Sequence, residues 1–145
     1  MADWYVYHSA ETMDHRYGNP EKNHVFSTSM KKKLCLNDNI WIIEGLGESP
    51  KKFYLAAHFT YQETEYPPFP SPYMGGKYAD FKVMYAGQGD SYESKYKLTF
   101  ADHPWFEQLH KGYITKQKFF NDISSLKDVV SGLNKLTKPL THKTS

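Results

Sequence analysis

The segment from Leu34 to Tyr61 constrains the fold more than any other part of the chain. It opens on a polar turn, Asn37-Asp38-Asn39, and enters an apolar run, Ile40-Trp41-Ile42-Ile43-Glu44. It breaks at Gly45–Pro50 and returns through Lys52-Phe-Tyr-Leu-Ala-Ala-His-Phe-Thr-Tyr61. β-Branched and aromatic residues suit a pleated, half-buried backbone, and a Gly/Ser/Pro break of this length between two such runs predicts a β-hairpin. Further strands are expected over 3–9, 24–29, 81–86 and 92–100, the last two flanking Gly87-Gln-Gly-Asp90. The chain then changes character. Asp102 reads as a helix N-cap, with Pro104 in the first turn and Trp105, Phe106 and Leu109 at helical spacing. Helices are also expected over 115–123 and 124–136. In the latter, Leu126, Val129, Val130, Leu133 and Leu136 form one apolar stripe, with Ser124 or Ser125 as cap. Strands followed by short helices predict an α+β fold: a curled, mostly antiparallel β-barrel or half-barrel with helices packed at its side.

Residues 1–136 read as one domain, with 137–145 a flexible tail. Residues 10–23 read as a loop with one helical turn near Ala10–Asp14. The stretch 62–79, which includes Tyr66-Pro-Pro-Phe-Pro-Ser-Pro-Tyr-Met-Gly-Gly76, is too rich in Pro and Gly for regular structure. It reads as a binding loop carrying Tyr66, Phe69 and Tyr73, as a stiffened surface excursion, or as a protein-interaction segment over 66–73.

Of the 145 residues, 17% are aromatic, and the 12 tyrosines exceed what a core this size hides with every hydroxyl satisfied. Some should line a surface or pocket. The formal net charge of +2 gives no strong field toward nucleic acid or membrane. Arg16 is the single arginine beside 17 lysines, which argues against a duplex reader built on bidentate Arg–guanine contacts. Lysine clusters still serve phosphates as point charges. Cys35, the one cysteine, excludes an internal disulfide or a Cys-based zinc site, and between two leucines it reads as a buried thiol. Met1-Ala-Asp-Trp-Tyr5 lacks a basic and then apolar leader, and no apolar run nears the roughly 20 residues that span a bilayer, so the expected location is cytoplasmic with no membrane contact.

No nucleophile elbow, phosphate-binding loop or dinucleotide fingerprint is present; Gly87-Gln-Gly89 lacks a third glycine and a following helix. The pairs His8/His15 and His103/His110 lack a carboxylate in register, so no metal or other cofactor is expected. One enzymatic pattern stands: Asp80 followed by Glu93-Ser94-Lys95 has the order of a Mg-dependent nuclease, two carboxylates for the ion and a lysine to orient water.

Trp4-Tyr5-Val6-Tyr7, then Leu36-Asn-Asp-Asn-Ile-Trp-Ile-Ile-Glu-Gly45, then Phe53-Tyr-Leu-Ala-Ala-His-Phe59 together resemble the PUA-like superfamily, closest to its EVE branch and to the related YTH and SRA-type modules. The likeness covers roughly residues 3–61, and the late helices suit it. It implies a nucleic-acid-binding module that extrudes a modified base, such as 5-methylcytosine or 5-hydroxymethylcytosine, in DNA or RNA, into an aromatic pocket. It also implies a place in modification-dependent restriction, with a separate nuclease subunit to cleave. The expected pocket walls are Trp4, Tyr7, Trp41, Tyr61 and Trp105; the expected edge readers are His8, Ser9 and Asn39. The expected phosphate contacts are Lys31, Lys32, Lys33, Lys51, Lys52 and Lys77. Each has a plainer role. Trp41 among isoleucines suits a core, Trp105 with Phe106 suits a helix anchor, and Lys31–Lys33 suit a solvated edge. Strand alternation puts Trp4 and Val6 on one face and Tyr5 and Tyr7 on the other, so they cannot all line one pocket. Tyr7 with His8 and Ser9 at the strand's end is favoured, because loops leaving strands carry sites.

Overall fold

The computed structural model describes residues 1–9, 17, 23–30, 32–47, 50–69 and 80–137. Its strands are β1 (Asp3–Ser9), β2 (Asn23–Ser27), β3 (Asn39–Leu46), β4 (Lys52–Thr60), β5 (Glu63–Glu65), β6 (Val83–Gly87), β7 (Gly89–Leu98) and β8 (Phe120–Asp122). Helix α1 (Trp105–Leu109) runs on into a π-helical turn, His110–Ile114, and α2 (Lys127–Thr137) closes the described chain. Among the described residues no helix is long and apolar enough to cross a membrane.

The fold is α+β with mostly antiparallel strands. Five strands form one sheet in the order β7-β4-β3-β1-β8, and three form another, β2-β6-β5. The expected β3–β4 hairpin is formed, while β1 lies parallel to β3, with Asp3 opposite Asn39 and Ser9 opposite Gly45. The larger sheet is the middle layer. Trp4, Val6, Ile40 and Ile42 pack with Val25, Val83 and Tyr85 of the smaller sheet. Tyr5, Trp41 and Ile43 pack on Phe106, Leu109, Ile123, Val129 and Leu133 of the helical layer. The β4 strand serves both layers because it carries an extra residue. Opposite Ile42 and Ile43 it offers Ala57 and Leu55, leaving Ala56 as a bulge. The bulge shifts the alternation, so Leu55 faces the helices while Ala57 and Phe59 face the small sheet.

The sheets meet at corners. The strands expected on either side of Gly87-Gln-Gly89 do not pair as a hairpin. Instead β6 and β7 are nearly continuous, and the chain passes from the small sheet to the large one at Gln88. Glycine is required there: a Cβ on Gly87 would stand 1.8 Å from the Thr60 carbonyl oxygen, and one on Gly89 2.1 Å from that of His58. Among the described residues no ladder closes either sheet on itself.

Several expectations are corrected. The helix expected over 115–123 does not form. Gln117 adopts a positive φ of 58° that ends the π turn, and Phe120–Asp122 then pair antiparallel with Val6–Trp4 as β8, so pairing with β1 overrides local propensity. Pro104, not Asp102, occupies the α1 N-cap position, with no side-chain cap. The 62–79 stretch is not irregular throughout, because Glu63–Glu65, ahead of its prolines, pair with β6. Cys35 is exposed rather than buried: Leu36 and Asn37 turn the chain there, closed by the Asp38 N–H to the Cys35 carbonyl, and Leu36 points to solvent. The α2 stripe is as expected, with Val129 and Leu133 fully buried. The turn at 10–14, residues 70–79 with Tyr73 and Lys77, His15, Lys31 and the tail beyond Thr137 lie outside the described residues.

Candidate functional site

At the end of the large sheet where β1 and β3 finish and β4 begins, the chain leaves a cleft of about 1200 Å³. The β1 strand contributes Val6, Tyr7 and Ser9, the start of β4 contributes Lys51, Lys52 and Phe53, and the end of β7 contributes Lys97 through Phe100. Phe26–Ser29 and Phe81 enter from the small sheet, Phe106, His110 and Ile114 from the helical layer, and Lys118–Asn121 from the approach to β8.

The lining is aromatic and one-signed. Lys32, Lys51, Lys52, Lys97 and Lys118 face the cleft, and no Asp or Glu does among the described residues. Lys32 is partly committed: its ammonium donates to the Phe120 carbonyl at 2.6 Å and lies 5.4 Å from that ring. Lys52, Lys97 and Lys118 are exposed.

The rings are connected. Phe119 lies 5.2 Å from Tyr7, Tyr7 6.2 Å from Phe53, Phe53 5.0 Å from His110, and His110 5.4 Å from Phe100, between ring centroids. Tyr7 and Phe53 stand on β1 and β4, with β3 between them. They meet because the β3 residue at that level is Gly45, where a Cβ would lie 1.9 Å from the Tyr7 hydroxyl. Phe119 and Phe100, at the two ends of the run, are 42% and 41% exposed, although phenylalanine gains nothing from water.

His110 is the polar member of the run. Its ring also packs on Phe106, and its Nδ1 is buried with no hydrogen-bond partner among the described residues. Burial, with Lys111 beside it, holds its pKa below the ordinary imidazole value. It begins the π turn, a helix irregularity found often at functional sites.

Of the residues singled out from sequence, Tyr7, Ser9, Lys32, Lys51 and Lys52 come together here. The others lie elsewhere. His8 points to the opposite face of β1, with Nε2 4.0 Å from the buried Glu44 carboxylate. Lys33 is exposed outside the cleft. Trp105 packs on α2 at Gly132, where a Cβ would meet its ring at 2.3 Å, beside a separate groove of about 620 Å³. The others that are described gather toward the opposite end of the sheet: along β1 from Tyr7, Trp41 lies two residues back, Trp4 three and Asn39 four, roughly 7, 10 and 13 Å. There the Asp38 carboxylate accepts from the backbone N–H of Ala2 and Cys35, both at 2.9 Å, and from the Trp4 indole at 3.1 Å. Burial opposes the Asp38 charge, but these donors prevail and hold its carboxyl below the usual carboxylate range. Trp41, 1% exposed, donates to Asp3 and stacks on His58 at 3.9 Å and 14°; Asn39 lies 2.9 Å from His58 Nε2. Burial outweighs the Asp3 and Asp90 carboxylates and lowers the His58 pKa. Tyr61 packs edge-on to Tyr85, with its hydroxyl bonded to Thr64.

Asp80 is an exposed turn residue ahead of β6, and Lys95 lies in a bulge of β7 with its ammonium over Tyr96. The Glu93 side chain lies outside the described part, and among the described residues no group of three His, Cys, Asp or Glu is placed to hold a metal ion.

Sequence reasoning weighed His110 only as a metal ligand with His103, and singled out none of Phe53, Phe100, Lys97, Lys118 and Phe119. The sequence signal for Phe119 was its place in Lys118-Phe-Phe-Asn121, where two adjacent rings on a strand must face opposite ways, which a helical reading conceals. Comparison with protein-family models, with curated proteins and with solved structures gives no match to this chain.

Proposed function

We propose that the chain is a nucleic-acid-binding module, and that the cleft beside Tyr7 and Ser9 receives an unstacked base while its lysines hold the flanking phosphates. The observation that carries this reading is the lining: among the described residues, five lysines and no carboxylate, with a connected run of rings ending in two exposed phenylalanines. A ligand suited to such a surface is flat and anionic at once. Stacking a base on an aromatic side chain is worth about 1–3 kcal/mol, enough to offset removing it from its own stack. Lysines give the phosphates charge without sequence readout, which fits a chain with one arginine. Extrusion of a modified base belongs to the same proposal, since a base methyl buried against Phe rings adds about 0.8 kcal/mol. So does a curled, PUA-like sheet, supported by the glycine corner at Gly87 and Gly89.

The test is fluorescence anisotropy at fixed salt. The panel holds single-stranded and duplex DNA and RNA carrying cytosine, 5-methylcytosine, 5-hydroxymethylcytosine or methyladenine. Preference for one modified base is expected. Uniform weak binding abolished by modest salt would leave only a general polyanion surface. Titration with salt adds a residue-level readout: Lys52→Gln and Lys97→Gln should each lower the slope of log affinity against log salt by about 0.7 on single strands, with sequence preference unchanged.

A further inference from the structure

Resting on the nucleic-acid reading above, we propose that the cleft takes a single strand several nucleotides long, with one base on Phe119 and another on Phe100, and not a lone base. The argument is one of spacing. Phe119 leads into β8 and Phe100 follows β7, and these are the two edge strands of the five-stranded sheet. Four strand intervals of about 4.8 Å put the edges roughly 19 Å apart. The ring-to-ring path is long enough for this, since three rings, Tyr7, Phe53 and His110, stand between them. One base covers one ring, so it cannot reach both.

The charges repeat at each end. Lys118 precedes Phe119 in the chain, its ammonium 6.0 Å from the Tyr113 ring, and Lys97 lies on β7 three residues before Phe100, so each exposed ring has an exposed, cleft-lining lysine close to it in the chain. A single extruded base needs one platform; two platforms, each with its own cation, suit a backbone that passes both. The size agrees as well. About 1200 Å³ exceeds the roughly 300–1,000 Å³ of sites that enclose one small ligand. The interior rings are half-buried and supply the floor between the platforms.

The experiment measures affinities for thymidine monophosphate and for the thymidine dinucleotide, tetranucleotide and octanucleotide at fixed salt, with wild type, Phe100→Ala, Phe119→Ala and the double variant. Affinity should climb steeply from the dinucleotide to the octanucleotide. Each single variant should weaken the octanucleotide roughly tenfold and the double variant by about the product, whereas the monophosphate should respond to one of the two alone. Phe→Leu at the same positions repeats the test with apolar bulk kept, and circular dichroism checks that each variant is folded. Equal affinity for monophosphate and octanucleotide, or an octanucleotide indifferent to one of the rings, overturns the strand proposal and leaves a one-base slot, with the nucleic-acid reading intact. Absence of binding at every length overturns both.

Discussion

At the Asn39 end of the large sheet, Trp4 and Trp41 each donate their indole N–H to a carboxylate, and His58 is stacked and hydrogen-bonded. At the Gly45 end, Phe119 and Phe100 are partly open to water, and the His110 Nδ1 is buried without a partner among the described residues. The two ends draw on the same residue types, aromatic rings with a histidine and nearby charge, so composition does not separate them. They differ in what is left over. The first end supplies side-chain partners for Trp4, Trp41 and His58. The second has apolar faces and cations whose natural complement is a flat anion. On the proposed reading, exposed rings beside cations mark the site, and the density of aromatic residues does not.

That contrast breaks most visibly at Asp38. Replacing it with alanine strands three donors, those of Ala2, Cys35 and Trp4, in or near the core. Urea denaturation should show a loss of about 3 kcal/mol, while the folded fraction should bind single strands as wild type does. Lost binding in folded protein would mean that the ends are coupled. Gly45→Ala tests the other end. The added Cβ collides with the tip of Tyr7, a side chain that can swing aside, so stability should fall by only about 1 kcal/mol. The displaced ring interrupts the run, and octanucleotide affinity should drop roughly tenfold. Unchanged affinity would remove Tyr7 from the site.

The first end was the more legible in the sequence. Asn37-Asp38-Asn39 followed by Ile40-Trp41-Ile42-Ile43 announces a turn, a strand and a buried tryptophan, and local propensity agrees with the tertiary outcome. The α2 stripe was legible for the same reason. The second end was not, because non-local events build it. Phe119 and Phe120 enter a strand only because β1 offers an edge, Tyr7 meets Phe53 only because Gly45 on a third strand has no side chain, and Phe100 and His110 converge from β7 and α1. The place of Tyr7 at the strand's end was legible, since strand alternation and a nearby loop need no tertiary knowledge. Trp4, Trp41 and Asn39 share its residue types, and the two to four residues of strand, roughly 7–13 Å, that separate them from it are invisible without the register.

The two histidines give the finest separation. Burial lowers the pKa of both His58 and His110, so each is neutral in the folded protein over a range where the unfolded chain, titrating near 6.5, already takes up a proton. The unfolded state then binds more protons, and stability is full above about pH 6.5 and falls as pH drops below it. His58→Gln should flatten that fall, seen as a smaller decrease in melting temperature from about pH 7.5 to about pH 5.5. Nothing at the Asn39 end should change with oligonucleotide. At His110 a bound phosphate favours the protonated ring, so octanucleotide affinity should strengthen over the same acid range and the gain should vanish in His110→Gln. If His58→Gln removes the gain instead, the charge that the ligand senses lies at the Asn39 end, and the division between a self-satisfied end and a receptive one does not hold.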